Sequence, residues 1–250
     1  QDPDAFEALG YLYFHGFGVE QDLKKAFSYF RLAAEKGNAA ASSNLGYMYE
    51  HGMTVPADPV QAAVWYQKAA DARHPAALGN LAGLYVRGQG VNRDPKRAFE
   101  LYLQSAELKY YPSMLQLGLM YYHGEGTEKN WETAFYWIEK AAEKLPEAQY
   151  HLARMYEAGH GVAQNRETAV SWYRRAAEQG IPEAQNQLGN LYRTGDGVPQ
   201  DYREAVHWYQ AAASQGYVLL YLQPETDWKW HSFRIDPFWA AITVQRCVSG

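Results

Sequence analysis

The chain has 250 residues, of which 47% are hydrophobic, and its formal net charge at pH 7 is −5. Because acidic residues outnumber basic ones, the composition does not indicate the positively charged surface that binds nucleic-acid phosphates. Nucleic acid is therefore not an expected partner. Because Cys247 is the single cysteine, an intrachain disulfide and a cysteine-rich zinc site are both excluded.

The first residues indicate a piece of a longer protein. Gln1 stands in place of an initiator methionine, and the first repeat has already begun there. No signal peptide precedes Gln1, and no apolar run approaches the roughly 20 residues that a membrane-spanning helix needs. We therefore expect targeting signals in missing parts of the parent chain, and membrane contact only through those parts.

Each repeat opens with a predicted helix, here called helix A. Its central Leu is followed by a small residue and recurs at spacings of 36, 36, 36, 35 and 36 residues. These residues are Leu9, Leu45, Leu81, Leu117, Leu152 and Leu188. A small residue lies four positions before each Leu and a tyrosine four positions after it. This spacing places the apolar residues on one face of a helix.

A glycine-containing turn and a second helix, helix B, follow in every repeat. A column of Asp or Asn predicts the residues that cap the start of helix B: Asp22, Asp58, Asp94, Asn130, Asn165 and Asp201. Helix B then has an alanine, a large residue three positions later, and a second alanine five positions after that. The large residues are predicted to fill the space between repeats: Tyr29, Trp65, Leu101, Trp137, Trp172 and Trp208.

The fold class predicted from this pattern is all-α, a solenoid of six helix-turn-helix repeats. Such repeats cannot bury their apolar faces alone and stack on their neighbours, which makes one elongated domain over residues 2–216. The approximate repeats are residues 2–37, 38–73, 74–109, 110–144, 145–180 and 181–216.

The repeats resemble the Sel-1-like repeat family, which is related to the tetratricopeptide repeat. The pattern A-x-x-x-L-G-x-x-Y-x-x-G-x-G-V-x-x-D-x-x-x-A-x-x-W-Y-x-x-A-A is best matched by residues 184–213. The resemblance implies a right-handed α–α superhelix and a non-enzymatic scaffold that binds other proteins or peptides. Residues 18–34 and 44–48 also resemble animal members, among them endoplasmic-reticulum adaptors that hold misfolded substrates near a ubiquitin ligase. That likeness implies a role in quality control in this compartment; otherwise a cytoplasmic location is expected.

The binding surface is predicted on the helix-A positions one before and two after the central Leu, opposite the apolar stripe. Their amide, aromatic, aliphatic, imidazole and guanidinium groups suit an extended peptide in the concave groove of a solenoid. They are Tyr11, Asn44, Tyr47, Asn80, Gln116, Leu119, His151, Arg154, Gln187 and Asn190. The alternative is that these side chains only keep the helix face soluble.

No catalytic, cofactor or metal site is expected. The glycine turns lack the preceding strand of a nucleotide-binding loop, and a capping carboxylate or amide already occupies each helix start. His15, His51 and His123 share one column, but equivalent positions lie about two helix widths of 8–10 Å apart, too far for a common zinc ion. Two alternative functions remain. The chain would be a structural spacer in a larger membrane or secreted protein, or, as the less favoured alternative, a hydrolase or cofactor enzyme.

The last segment, residues 217–250, is rich in aromatic residues and lacks the repeat pattern. Two interpretations remain open for it. Part of the segment, about residues 217–222, would cap the last helix B with disorder beyond, or the whole segment would be an atypical, partly disordered terminus.

Overall fold

The computed structural model describes residues 2–218 and 233–234, which form twelve helices and one pair of short strands. The helices are α1 (Pro3–His15), α2 (Leu23–Glu35), α3 (Ala39–His51), α4 (Pro59–Asp71), α5 (Pro75–Arg87), α6 (Pro95–Glu107), α7 (Tyr111–His123), α8 (Trp131–Ala142), α9 (Pro146–Ala158), α10 (Arg166–Glu178), α11 (Pro182–Thr194) and α12 (Tyr202–Ser214). Strands β1 (Tyr217–Val218) and β2 (Phe233–Arg234) pair antiparallel, with Tyr217 opposite Arg234. The predicted all-α class with six helix pairs is confirmed.

The chain divides into two compact units, Gln1–Trp137 and Ile138–Gly250, with the boundary inside α8. In the first unit, α1 packs on α2, α3 on α4 and α5 on α6, and helix B of each repeat also packs on helix A of the next. In the second unit, α9 packs on α10, α10 on α11 and α11 on α12. Within each unit, packing therefore joins helices that are neighbours along the chain. The predicted cap at residues 217–222 lies largely outside the described residues.

The predicted helix ends are confirmed by their hydrogen bonds. At the start of every helix B, the Asp or Asn side chain accepts from a backbone N–H two or three residues on, as Asp94 does from Arg97 at 3.0 Å. Helix A ends in each repeat at a glycine with φ between 62° and 75°, the left-handed region that glycine enters without a steric penalty. The turn chemistry in the sequence thus determines where the helices begin and end.

The central Leu of helix A is buried in repeats two to six, as predicted. In the first repeat Leu9 is 38% exposed, contrary to the expectation of a uniform core. The physical reason is visible one repeat later, where Leu45 packs in a cluster with Ala26 and Phe30 of the preceding helix B. Among the described residues, no helix B precedes α1 to cover Leu9.

The innermost large side chain of helix B lies one residue later than predicted. Most of the residues three positions after the first alanine are only half-buried, whereas those at the fourth position are nearly all inaccessible. This fourth column is Phe30, Tyr66, Tyr102, Ile138, Tyr173 and Tyr209. The glycine after the central Leu makes room for the ring: a Cβ on Gly46 would lie 2.7 Å from the ring of Tyr66. Close approach of the two helices therefore explains the Leu-Gly pair.

Candidate binding face

The ten predicted binding residues lie on helices A, and in each of the two units we call the surface that carries them the helix-A face of that unit. Six are in the first unit: Tyr11, Asn44, Tyr47, Asn80, Gln116 and Leu119. Four are in the second unit: His151, Arg154, Gln187 and Asn190. Tyr11, Tyr47, Gln116 and Arg154 are exposed, and the remaining six are half-buried. All ten are thus outside the core of their own unit.

In the first unit, a buried tyrosine and a carboxylate organise the middle of the face. Tyr66 donates from its hydroxyl to Glu50 Oε2 at 2.8 Å. Burial, followed by the charge of Glu50, raises the pKa of Tyr66 well above its usual range, and a hydrogen bond with Asn80 opposes this shift. Arg87 donates to the other oxygen, Glu50 Oε1, at 2.6 Å and so links α5 to α3. The network fixes polar groups of two successive helices A beside Tyr47, which also acts on the Tyr66 hydroxyl electrostatically.

A similar arrangement occurs in the second unit. Tyr173 donates to Glu157 Oε2 at 2.6 Å, and burial raises the pKa of this tyrosine well above its usual range. Gln187 donates to Glu157 Oε1 at 3.3 Å. Asn190 accepts from the Tyr209 hydroxyl at 2.7 Å. Gln187 is therefore held by Glu157 of the preceding helix A, and Asn190 is held by Tyr209 of the helix B in its own repeat.

The other predicted residues have separate surroundings. Arg154 places its guanidinium 5.8 Å from the centre of the Tyr150 ring. Tyr11 contacts His15 at 4.4 Å between ring centres, and Tyr47 contacts His51 at 4.1 Å. For Asn44, Gln116 and Leu119, the structure gives their position on the face but no specific contact.

Three polar residues of the helix-A face were missed by the sequence reasoning: Glu50, Arg87 and Glu157. A signal for them existed in the fourth column of helix B, where four of six residues are tyrosine. A buried tyrosine normally requires a partner for its hydroxyl, so a search for acidic residues on the adjacent helix would have pointed to Glu50 and Glu157.

A shallow cavity of about 570 Å³ lies away from this face, between the start of α2 and the turn from α3 to α4. Thr54 stands in this turn where repeats three, four and six have Gly90, Gly126 and Gly197. Each of those glycines approaches the first turn of the preceding helix B so closely that a Cβ would lie 2.0 to 3.1 Å from its backbone. Thr54 lacks their positive φ, so the turn of repeat two has another backbone path beside the cavity.

The described residues contain no cluster of three or more His, Cys, Asp or Glu that could hold a metal ion. None of the helices among them has both the length and the apolar composition needed to cross a membrane.

Comparison with known families finds six consecutive matches to the family described as Sel1 repeat. They cover residues 4–38, 39–74, 75–110, 112–144, 146–181 and 182–217. No curated protein matches the chain.

Solved structures of bacterial proteins are similar to the chain. The c5321 protein, a protective antigen of uropathogenic Escherichia coli with an SLR fold, is 35% identical, with a TM-score of 0.77, over 86% of this chain and 46% of its own. A Sel1 repeat protein from Oxalobacter formigenes is 33% identical, with a TM-score of 0.76, over 86% of this chain and 62% of its own. The chain thus spans less than two thirds of either protein. The immunity protein Pa5087 from Pseudomonas aeruginosa, at 21% identity and a TM-score of 0.55 over 84% of this chain and 80% of its own, supports the fold alone.

Proposed function

The chain belongs to the Sel1 repeat family, and from this premise we propose that it is a non-enzymatic scaffold that binds partner polypeptides along its helix-A face. Sel1 repeat proteins generally mediate protein–protein interactions. The ten predicted residues form the binding surface in this proposal, and proteins or peptides are the partners, without a cofactor, metal ion or nucleic acid.

The observation that carries the proposal is the network around Glu50. The hydroxyl of buried Tyr66 and the guanidinium of Arg87 both donate to the Glu50 carboxylate, and these hydrogen bonds fix polar side chains at the surface. A surface whose donors and acceptors are already fixed loses less conformational entropy on binding, which favours an extended peptide ligand. Exposed Tyr47 beside this network provides the aromatic contact that peptide-binding surfaces commonly use.

Selection from random peptides displayed on phage tests the proposal directly. We expect the chain to enrich specific peptides, and we expect Tyr47→Ala with Arg154→Ala to weaken them by about tenfold or more, the usual effect of removing interface hot spots. Helicity and the melting temperature should stay unchanged because both side chains are exposed.

The matched control changes the same residue types on helices B, with Tyr136→Ala and Arg175→Ala, and should leave peptide affinity intact. Equal weakening by both pairs, or failure to enrich any peptide, would contradict the assignment of the helix-A face. A purely structural spacer predicts the second of these outcomes. A hydrolase or cofactor enzyme predicts turnover or cofactor binding by the purified chain instead.

A narrower hypothesis places the protein in endoplasmic-reticulum quality control. The support for this hypothesis is the likeness of residues 18–34 and 44–48 to animal family members. The similar solved structures come from bacteria and add no support for it. Fractionation of cells that express the full parent protein tests it: recovery with endoplasmic-reticulum membranes supports the hypothesis, and recovery in the cytoplasm rejects it.

A further inference from the structure

A half-buried carboxylate on the helix-A face of the second unit lacks the cation that its equivalent in the first unit has. Glu157 lies five residues after the central Leu of α9, as Glu50 does in α3. Each carboxylate accepts through Oε2 from a buried tyrosine of helix B: Glu50 from Tyr66 at 2.8 Å, and Glu157 from Tyr173 at 2.6 Å. The two sites are therefore built alike around this oxygen.

The other oxygen, Oε1, differs between the two sites. Glu50 Oε1 accepts from the Arg87 guanidinium of the next helix A at 2.6 Å and forms a salt bridge with it. At the equivalent position of α11, six residues after the central Leu, stands Thr194. The Thr194 hydroxyl donates to the carbonyl of Asn190 in its own helix. No arginine therefore reaches Glu157 from this position.

The donor that Glu157 Oε1 has instead is neutral. Gln187 Nε2 donates to it at 3.3 Å, a longer distance than the typical value of about 2.9 Å for such a bond. A carboxylate oxygen can accept two hydrogen bonds, so Oε1 keeps the capacity for a second donor. Within the described part of the chain, no Lys, Arg or His side chain forms an ion pair with Glu157.

The charged groups near Glu157 do not pair with it. Arg154 precedes it by three residues in α9, but this guanidinium lies 5.8 Å from the centre of the Tyr150 ring. Burial raises the pKa of Tyr150, the charges of Glu183 and Glu157 add to this shift, and Arg154 opposes it. Two carboxylates and one guanidinium therefore act at this place, which favours a further cation over an anion.

We propose that Glu157 Oε1 binds the guanidinium of an arginine side chain in the bound polypeptide, as Glu50 Oε1 binds Arg87 within the chain. This inference rests on the proposed function, because it assigns one side chain of the partner to one position on the helix-A face of the second unit. Hydrogen bonds between charged groups are stronger than neutral ones, so this contact selects polypeptides with an accessible arginine.

The probe for the test is a capped Ser-Ala octapeptide with one central arginine. It is titrated into the isotopically labelled chain and followed by NMR at the side-chain amide of Gln187, where we expect saturable shifts. The same peptide with citrulline, which has nearly the shape of arginine without its charge, should bind about tenfold more weakly, the effect of losing a hydrogen bond between charged groups. Equal binding of the two peptides would overturn the requirement for a cation, and no shift with the arginine peptide would overturn the site.

Exchange of the residues at the two equivalent positions tests the site against the rest of the acidic chain. Both Thr194 and Arg87 are exposed, so neither change alters the core. Thr194→Arg supplies the missing cation from α11 and should abolish the response at Gln187. Arg87→Thr removes the cation from Glu50 and should add a second site for the arginine peptide, seen as saturable shifts of the Asn80 side-chain amide. Wild-type binding by Thr194→Arg, or no second site in Arg87→Thr, would refute the inference.

Glu157→Gln removes the charge and keeps an acceptor for the Tyr173 hydroxyl. It should weaken the arginine peptide by about tenfold or more. Glu178→Gln is the matched control, because Glu178 is an exposed glutamate on helix B of the same unit, and it should leave the affinity unchanged. Equal weakening by both variants would overturn the site in favour of a response to net charge.

Failure of this site and failure of the proposed function are distinguishable. If the arginine peptide does not bind at Glu157 but phage-selected peptides still bind in a manner dependent on Tyr47 and Arg154, only the inference about arginine is wrong. If no peptide is selected at all, the proposed function itself fails.

Discussion

His74 caps the start of α5 in the position that Asn38 occupies at the start of α3. Asn38 Oδ1 accepts from the Ala41 N–H at 2.7 Å, and His74 Nδ1 accepts from the Ala77 N–H at 3.4 Å. An imidazole nitrogen accepts only while it is unprotonated. Burial lowers the pKa of His74 below its ordinary value of 6.5, consistent with a neutral ring in the folded chain.

This cap makes stability depend on pH. Because the pKa of His74 is lower in the folded state than in the unfolded state, its contribution is present above pH 6.5 and decreases as the pH falls through the folded value. We expect acidification from pH 7 to pH 5 to lower the melting temperature of the wild type more than that of His74→Asn, which keeps a cap that does not titrate. Between pH 7 and pH 5 the wild type should lose more unfolding free energy than His74→Asn does. This extra loss should approach the contribution of one N-cap, about 1 kcal/mol.

Thermal unfolding of both proteins across this pH range provides the measurement. The remaining histidines are common to both proteins, so their titration cancels in the comparison. Parallel decreases in the two melting temperatures would show that His74 does not act as a neutral cap.

Single residues also show where sequence reasoning succeeds and where it stops. The caps at Asp22 and Asn165 could be predicted because an N-cap depends on its own side chain and the next three residues. The ion pair of Arg87 with Glu50 could not, because these two residues lie on α5 and α3 and no spacing in the sequence pairs them. Their contact becomes visible only when the helices are seen packed together.

At the scale of elements, the second glycine of the turn joins one repeat to the helix B before it. A Cβ on Gly90 would lie 2.0 Å from the Pro59 carbonyl oxygen, and Gly90 has a φ of 71°. Gly18 has the same φ, but a Cβ there would have no atom within 4 Å. The two glycines therefore share the backbone requirement and differ in the contact between repeats.

This difference predicts unequal effects of the same substitution. Gly18→Ala should reduce the unfolding free energy by about 1 kcal/mol, the penalty of a left-handed alanine. Gly90→Ala should reduce it by about 3 kcal/mol or more, because the methyl group also overlaps backbone that cannot move aside. Urea denaturation of both variants measures the two losses of unfolding free energy. Equal losses would mean that the close approach of Gly90 to α4 contributes nothing to stability.

The sequence predicted which part of helix B faces the core only to within one residue. The period of about 36 residues in the sequence identifies equivalent columns, but it does not state which of two adjacent columns faces inward. Trp65 and Tyr66 lie about 100° apart around α4, and both are large and aromatic. The structure shows Tyr66 fully buried because Gly46 opens space for its ring, while Trp65 lies half-buried beside it.

For the whole molecule, packing between sequence neighbours implies that stability is local. In the first unit α5 packs on α4 and α6, and in the second α11 packs on α10 and α12. The energy of such an array is approximately a sum of repeat terms and nearest-neighbour terms, so a weakened junction need not unfold distant repeats. The sequence predicted this organisation from its period alone, because each repeat carries the same incomplete core.

Hydrogen exchange of Gly90→Ala tests this locality. We expect amides of α3–α6 to lose protection, because the substitution separates the turn after α5 from the start of α4. Amides of α11 and α12 should exchange at wild-type rates, since regions of a protein open with different free energies when few contacts couple them. Gly18→Ala serves as the control and should affect mainly the turn after α1. An equal loss of protection in all twelve helices would instead identify the array as one cooperative unit, in which nearest-neighbour terms dominate over the stability of single repeats.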